Sequence, residues 1–170
     1  KLMSELPIIC FLCTGNSARS VMARAFFASK TSDFEITSAG TLVLEGQPMS
    51  IRTRRALASY DLSEPDHLSR QFGQSDLKTD LVVAMEPSHI LWMRRHFPEM
   101  AARTGTLPRL IRDFPKEGNF ENRVATMGLA EVEIEDWEEV VDPAAGDQDV
   151  FDRCAEELEG LISRFAVKIL

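Results

Sequence analysis

Residues 7–13, Pro-Ile-Ile-Cys-Phe-Leu-Cys, are apolar without alternation, the pattern of a strand covered on both faces of a parallel sheet. A polar turn, Thr14-Gly15-Asn16-Ser17, separates it from residues 18–30, where Val21, Met22, Ala25 and Phe26 recur at helical spacing. A second short strand is predicted at 34–38, closed by Ala39-Gly40. A helix follows over 48–60, with Arg52, Arg54 and Arg55 on what reads as a solvated face. A third strand is predicted at 80–85. Pro87 suits the first turn of the next helix, whose apolar stripe is Ile90, Leu91, Met93 and Phe97 before Pro98 stops it. Residues 106–110 are predicted to be a fourth strand, and the acidic, irregular stretch 112–139 reads as an extended, solvated loop. Val150, Cys154, Leu158, Leu161 and Phe165 then share one face of a closing helix over 147–168.

Strands alternating with helices predict an α/β fold, a single domain over 1–170 with a mainly parallel sheet flanked by helices. Such sheets bind ligands at the carboxyl ends of their strands, where the loop after Cys13 sits. Composition agrees: an apolar share of 44% with 27% charged residues is that of an ordinary globular chain, so no disulfide scaffold is needed. The net charge of −8 argues against nucleic acid or an anionic membrane as partner, because long-range repulsion opposes both encounters. Three cysteines, Cys10, Cys13 and Cys154, suit a reducing compartment. Lys1-Leu2-Met3-Ser4 lacks a signal-peptide core, and no apolar run approaches the roughly 20 residues of a membrane span, so a cytoplasmic location is expected. Met3 is a candidate start.

The chemistry concentrates in Cys13-Thr14-Gly15-Asn16-Ser17-Ala18-Arg19-Ser20, a Cys-x5-Arg-Ser segment between strand and helix. A tight loop running into a helix N-terminus can point successive backbone N–H groups inward and bind a tetrahedral oxyanion. The same field favours a thiolate at the loop's edge. Arg19 can grip two oxygens through its planar fork, and Ser20 can donate to the sulfur. Competing readings are weaker. Cys10 and Cys13 spell Cys-x-x-Cys, but side chains three apart in a strand point to opposite faces, so the sulfurs should diverge. A zinc site lacks a second ligand pair. His89 and His96 are uninformative by themselves.

This segment resembles the signature loop of low-molecular-weight protein tyrosine phosphatases. Three further blocks follow in that family's order: Ser38-Ala39-Gly40-Thr41 with Gly46 and Pro48, His67-Leu68-Ser69-Arg70-Gln71, and Val141-Asp142-Pro143. The resemblance implies a four-stranded parallel sheet with the phosphate loop between the first strand and first helix, and no metal or cofactor. It implies Cys13 as nucleophile, Arg19 as phosphate clamp and Asp142 as general acid. Phosphate or its mimic arsenate would lie on Thr14, Gly15, Asn16, Ser17, Ala18 and Arg19. Ser20, Ser38 and His67 would support the loop, Asn16 bracing it through hydrogen bonds. The implied activity is hydrolysis of phosphate monoesters, in a phosphorylated protein or a small molecule, with protein phosphotyrosine expected, through a phosphocysteine.

The chain also departs from the family. Ala144 and Ala145 follow Asp142-Pro143 where aromatic residues are usual, which removes a wall for a phosphotyrosine ring; Trp137 or residues 42–44 are the apolar alternatives. Ser17 replaces a bulkier apolar residue and keeps a phosphoarginine substrate open. Ala18 stands where many members carry a second cysteine. A thiol-dependent arsenate reductase is the rival enzyme, although residues 80–98 contain no resolving cysteine, so an external thiol would be required. A non-catalytic anion or redox sensor is the rival from another class.

Overall fold

Strand β1, Ile8–Cys13, is buried along its whole length, as its unbroken apolar pattern requires. In the computed structural model, which describes residues 5–170, β1 is flanked by β2, Glu35–Gly40, and β3, Leu81–Ala84, with β4, Thr104–Thr106, beyond β3. The order is β2-β1-β3-β4 and every pairing is parallel. The candidate start at Met3 and the rest of 1–4 lie outside the described residues.

Helices cover both faces. Helix α1, Arg19–Ala28, packs with α4, Leu107–Asp113, and the 22-residue α6, Gln148–Ile169, over Ile9, Phe11, Cys13, Leu81 and Val83. Their centre is a ring cluster in which Phe27 lies 5.7 Å from Phe11 and 5.4 Å from Phe165. The opposite face, Cys10, Leu12 and Val82, is covered by Phe72, Met100 and Met93 of α3, Pro87–His96. Cys10 and Cys13 thus fall in separate cores, as strand alternation demands. Among the described residues no helix is long and apolar enough to cross a membrane.

Two stretches differ most from the sequence expectation. Residues 106–110 are not the fourth strand. The strand ends at Thr106, whose hydroxyl caps α4 by accepting the Arg109 N–H, and Pro108 occupies the first turn, where its missing N–H costs nothing. The stretch 112–139 is only partly irregular. It contains the end of α4, the short helix α5, Phe120–Ala125, capped by Asn119, and a 3-10 turn at Leu129–Glu131. Its acidic end is not wholly solvated either, because Glu138 is fully buried on Arg109.

Candidate active site

The loop after β1 is fixed by what surrounds it. Cys13 O accepts from Thr41 N–H and Thr14 O from Leu42 N–H, both at 3.0 Å. Asn16 O accepts from His67 Nε2 at 2.8 Å and from Ser69 Oγ at 3.2 Å. Ser17 O accepts from Thr53 Oγ1 at 2.9 Å and Ser50 N–H at 3.4 Å. A trans peptide points its C=O and the following N–H in opposite directions. Carbonyls held on the outside therefore turn the N–H groups of Thr14, Gly15, Ser17 and Ala18 towards the inside. At the same point α1 begins with Ala18 at its N-cap and no side-chain cap, which adds its positive dipole end to the loop. Gly40, paired with Cys13 in the sheet, makes the close approach possible: a Cβ there would collide with Thr14 O and Val43 Cγ2.

Asn16 is the brace. It is fully buried with φ +55°, a left-handed conformation that asparagine tolerates better than most residues. Its Oδ1 accepts from Arg70 N–H at 3.0 Å, so its Nδ2 is the donor to Ser20 Oγ at 2.9 Å and Ser38 Oγ at 3.0 Å. Ser20 Oγ accepts from Asn16 and keeps its own proton to give, and it lies 3.0 Å from Cys13 Sγ. To a Cys13 thiolate, which can only accept, the serine is the donor.

Arg19 is 2% exposed and reaches across the strand ends. Nη1 binds Glu86 Oε2 at 2.5 Å and Val140 O at 2.9 Å, while Nη2 lies 3.5 Å from both Thr14 Oγ1 and Asp142 Oδ2. Burial would raise the Glu86 carboxyl, but hydrogen bonds from Ser88 and Arg19 and the arginine's charge hold it below the ordinary carboxylate value. Asp142 is 44% exposed at the rim and its Oδ1 accepts Ala144 N–H at 3.0 Å, so the turn-capping use of Asp-Pro coexists with an open carboxylate oxygen facing the arginine.

The structure brings together every residue that the sequence marked: Cys13, the loop 14–19, Ser20, Ser38, His67 and Asp142. Glu86 and His89 were missed. His89 is buried, its Nε2 3.0 Å from Thr14 Oγ1 and its Nδ1 accepting Met85 N–H at 3.3 Å. Both follow the third strand directly, where the strand-end rule points. Trp137 stacks beneath Arg112 at 4.4 Å and Arg109 at 5.2 Å, which occupies the ring. Arg52, Arg54 and Arg55 are exposed, as a solvated face requires.

Comparison with known proteins agrees with this architecture. The family profile described as low molecular weight phosphotyrosine protein phosphatase matches residues 8–121. A low molecular weight protein-tyrosine-phosphatase of Streptomyces coelicolor is 35% identical over 159 residues, covering 89% of this chain and 86% of that protein. A protein-arginine-phosphatase of Geobacillus stearothermophilus is 29% identical, covering 95% of both chains. Among solved structures, the G. stearothermophilus arginine phosphatase superposes with a TM-score of 0.77 at 29% identity over 95% of this chain and 92% of its own. The low molecular weight protein tyrosine phosphatase of T. tengcongensis superposes at 0.76 and 30% identity over 95% and 99%. The chain belongs to the low-molecular-weight protein tyrosine phosphatase family and is a cysteine-dependent phosphatase.

Proposed function

We propose that the protein hydrolyses phosphate monoesters, phosphotyrosine in proteins foremost, through a phosphocysteine intermediate. The observation that carries this reading is the convergence of Asp142, from a distant part of the chain, with Cys13 and Arg19 on one loop of inward N–H groups. In the first step the Cys13 thiolate attacks phosphorus; the S–P bond forms as the P–O bond breaks, and Asp142 gives its proton to the leaving oxygen. In the second, a water oxygen attacks phosphorus, the S–P bond breaks, Asp142 takes the water's proton and orthophosphate leaves. Ser20 stabilises the departing thiolate, while Arg19 and the loop 14–18 hold the equatorial oxygens.

An aromatic leaving group finds an aliphatic wall in place of the usual ring. Leu42 and Leu44 are 79% and 76% exposed, and the bond from Leu42 N–H to Thr14 O fixes their turn at the loop's edge. Phosphoarginine is the second reading. Ser17 gives the loop a small polar side chain, and the similarity to a protein-arginine-phosphatase supports a P–N bond as target. A reducing, cytoplasmic setting goes with either reading, since Cys10, Cys13 and Cys154 are all unpaired.

The test is a parallel assay of p-nitrophenyl phosphate, phosphotyrosine and phosphoarginine peptides, and arsenate supplied with external thiols. Phosphotyrosine turnover is expected, and Cys13→Ser should abolish it while phosphate binding survives. Substantial residual turnover in that variant would remove Cys13 as nucleophile. A preference of about tenfold or more for phosphoarginine, a difference of ~1.4 kcal/mol in transition-state binding, would replace the substrate assignment.

A further inference from the structure

The first turn of α3 presents two side chains to the phosphate loop, Glu86 to Arg19 and His89 to Thr14. The tautomer of His89 follows from its bonds. Nδ1 accepts the Met85 N–H, so it carries no proton, and the ring's single proton sits on Nε2, which donates to Thr14 Oγ1. Burial, joined by the positive charge of Arg19, pushes His89 down to about 4 against the opposing pull of Glu86 and Asp142, so the ring is neutral at physiological pH. Arg19 Nη2 approaches the same hydroxyl oxygen at 3.5 Å. A threonine hydroxyl has two lone pairs and one proton. With two N–H donors aimed at its oxygen, Thr14 has its own proton left to give, and a phosphoryl oxygen bound on the loop would be an acceptor for it.

We infer that His89 is a positioning residue that acts through Thr14, turning the Thr14 hydroxyl into a dedicated hydrogen-bond donor to the substrate's phosphoryl group. The inference rests on the phosphatase reading above. It adds a side-chain donor to the loop's backbone N–H groups. It also explains a buried histidine that otherwise serves only one backbone group 3.3 Å away.

Two near-isosteric variants separate this role from a structural one. His89→Gln keeps an N–H donor at the position of Nε2 but not the acceptor for Met85, whereas His89→Asn keeps an acceptor near Nδ1 but loses the donor to Thr14. With p-nitrophenyl phosphate as substrate and inorganic phosphate as inhibitor, Thr14→Val should lower kcat/KM about 10- to 100-fold, the range for one hydrogen bond to a charged group, and Thr14→Ser should restore it. His89→Asn should lower kcat/KM and raise the Ki for phosphate about tenfold with a modest loss in Tm, while His89→Gln should melt lower yet turn over nearly normally. In a Thr14→Val background His89→Asn should cost less than about twofold more. The reverse order of the two His89 variants, equal kinetic losses in both, or additive losses in the double variant would overturn the inference. Cys13→Ser assayed beside them separates the two failures: an active Cys13→Ser protein sinks the reaction itself, whereas an inactive one with any of those patterns sinks only the role of His89.

Discussion

Replacing Glu138 by glutamine should destabilise the protein by about 3 kcal/mol, the lower end for breaking a buried ion pair from one side. The magnitude follows from what the carboxylate holds. It is fully buried and accepts from Thr106 Oγ1, Arg109 Nε and Arg109 Nη2 at 2.8 Å each, and from Glu135 N–H at 2.7 Å. A glutamine offers one acceptor oxygen, and its NH2 must face at least one of these donors. Arg109 keeps Asp113 at 3.2 Å and Glu135 at 3.3 Å, both more exposed, which is why the lower end applies. For a chain of this length such a loss lowers Tm by about 6–12 °C, readable in a thermal melt. The effect should reach the active site, because the same segment carries Val140, whose N–H donates to Met85 O and whose carbonyl holds Arg19. The pH dependence has a definite sign. Burial would raise the Glu138 carboxyl, but the hydrogen bonds from Arg109, Glu135 N–H and Thr106 outweigh it and leave it below its ordinary 4.5. A depressed folded value contributes stability that is present above 4.5 and disappears as pH falls below it through the folded value. Glu138→Gln should therefore flatten the acid limb of the stability profile. A Tm within about 2 °C of the parent, with unchanged kinetics, would refute the idea that this pair anchors the Asp142 segment.

Other perturbations test the remaining parts. Asp142→Asn should slow substrates with basic leaving groups more than activated aryl phosphates; equal losses across a leaving-group series would exclude Asp142 as the acid. Gly40→Ala should cost ~1–3 kcal/mol and weaken phosphate binding, because the added carbon meets Thr14 O and Val43 Cγ2; unchanged urea stability and phosphate Ki would show that the loop tolerates displacement. Brief peroxide treatment should inactivate the enzyme with poor recovery in dithiothreitol, since burial pushes the Cys10 and Cys154 thiols up to about 12 and leaves no thiolate to trap an oxidised Cys13. Ala18→Cys should improve recovery, and a Cys13 disulfide to either native cysteine, found by mass spectrometry, would contradict the geometry.

What was legible in the sequence was local. Cys13 through Ser20 occupy one strand–loop–helix unit, so their spacing alone implies an anion cradle, and the apolar run of β1 is buried as its pattern requires. Boundaries moved where a cap decided them. Ser50 starts α2, Ile51–Ala58, later than the pattern suggests, and Thr106, a good strand residue by propensity, ends β4 because its hydroxyl is spent on the Arg109 N–H. Glu138 illustrates the opposite limit. It sits in a run of acidic residues that reads as a solvated face, and only the fold brings Arg109, 29 positions away, against it. A charge run has no internal mark of which member will be buried. Glu86 and His89 fall between these cases. Their partners lie 67 and 75 residues away, beyond any spacing rule. Yet with Ser88 between them they are the first polar residues after β3, and in a parallel sheet the carboxyl ends of neighbouring strands open onto the same crevice. β1 and β3 are hydrogen-bonded neighbours, so the polar turn straight after β3 lies beside the loop straight after β1. Applied to every strand, the strand-end rule reaches Glu86 and His89 from sequence and topology together; nothing comparable reaches Glu138, whose place depends on side-chain packing rather than strand order.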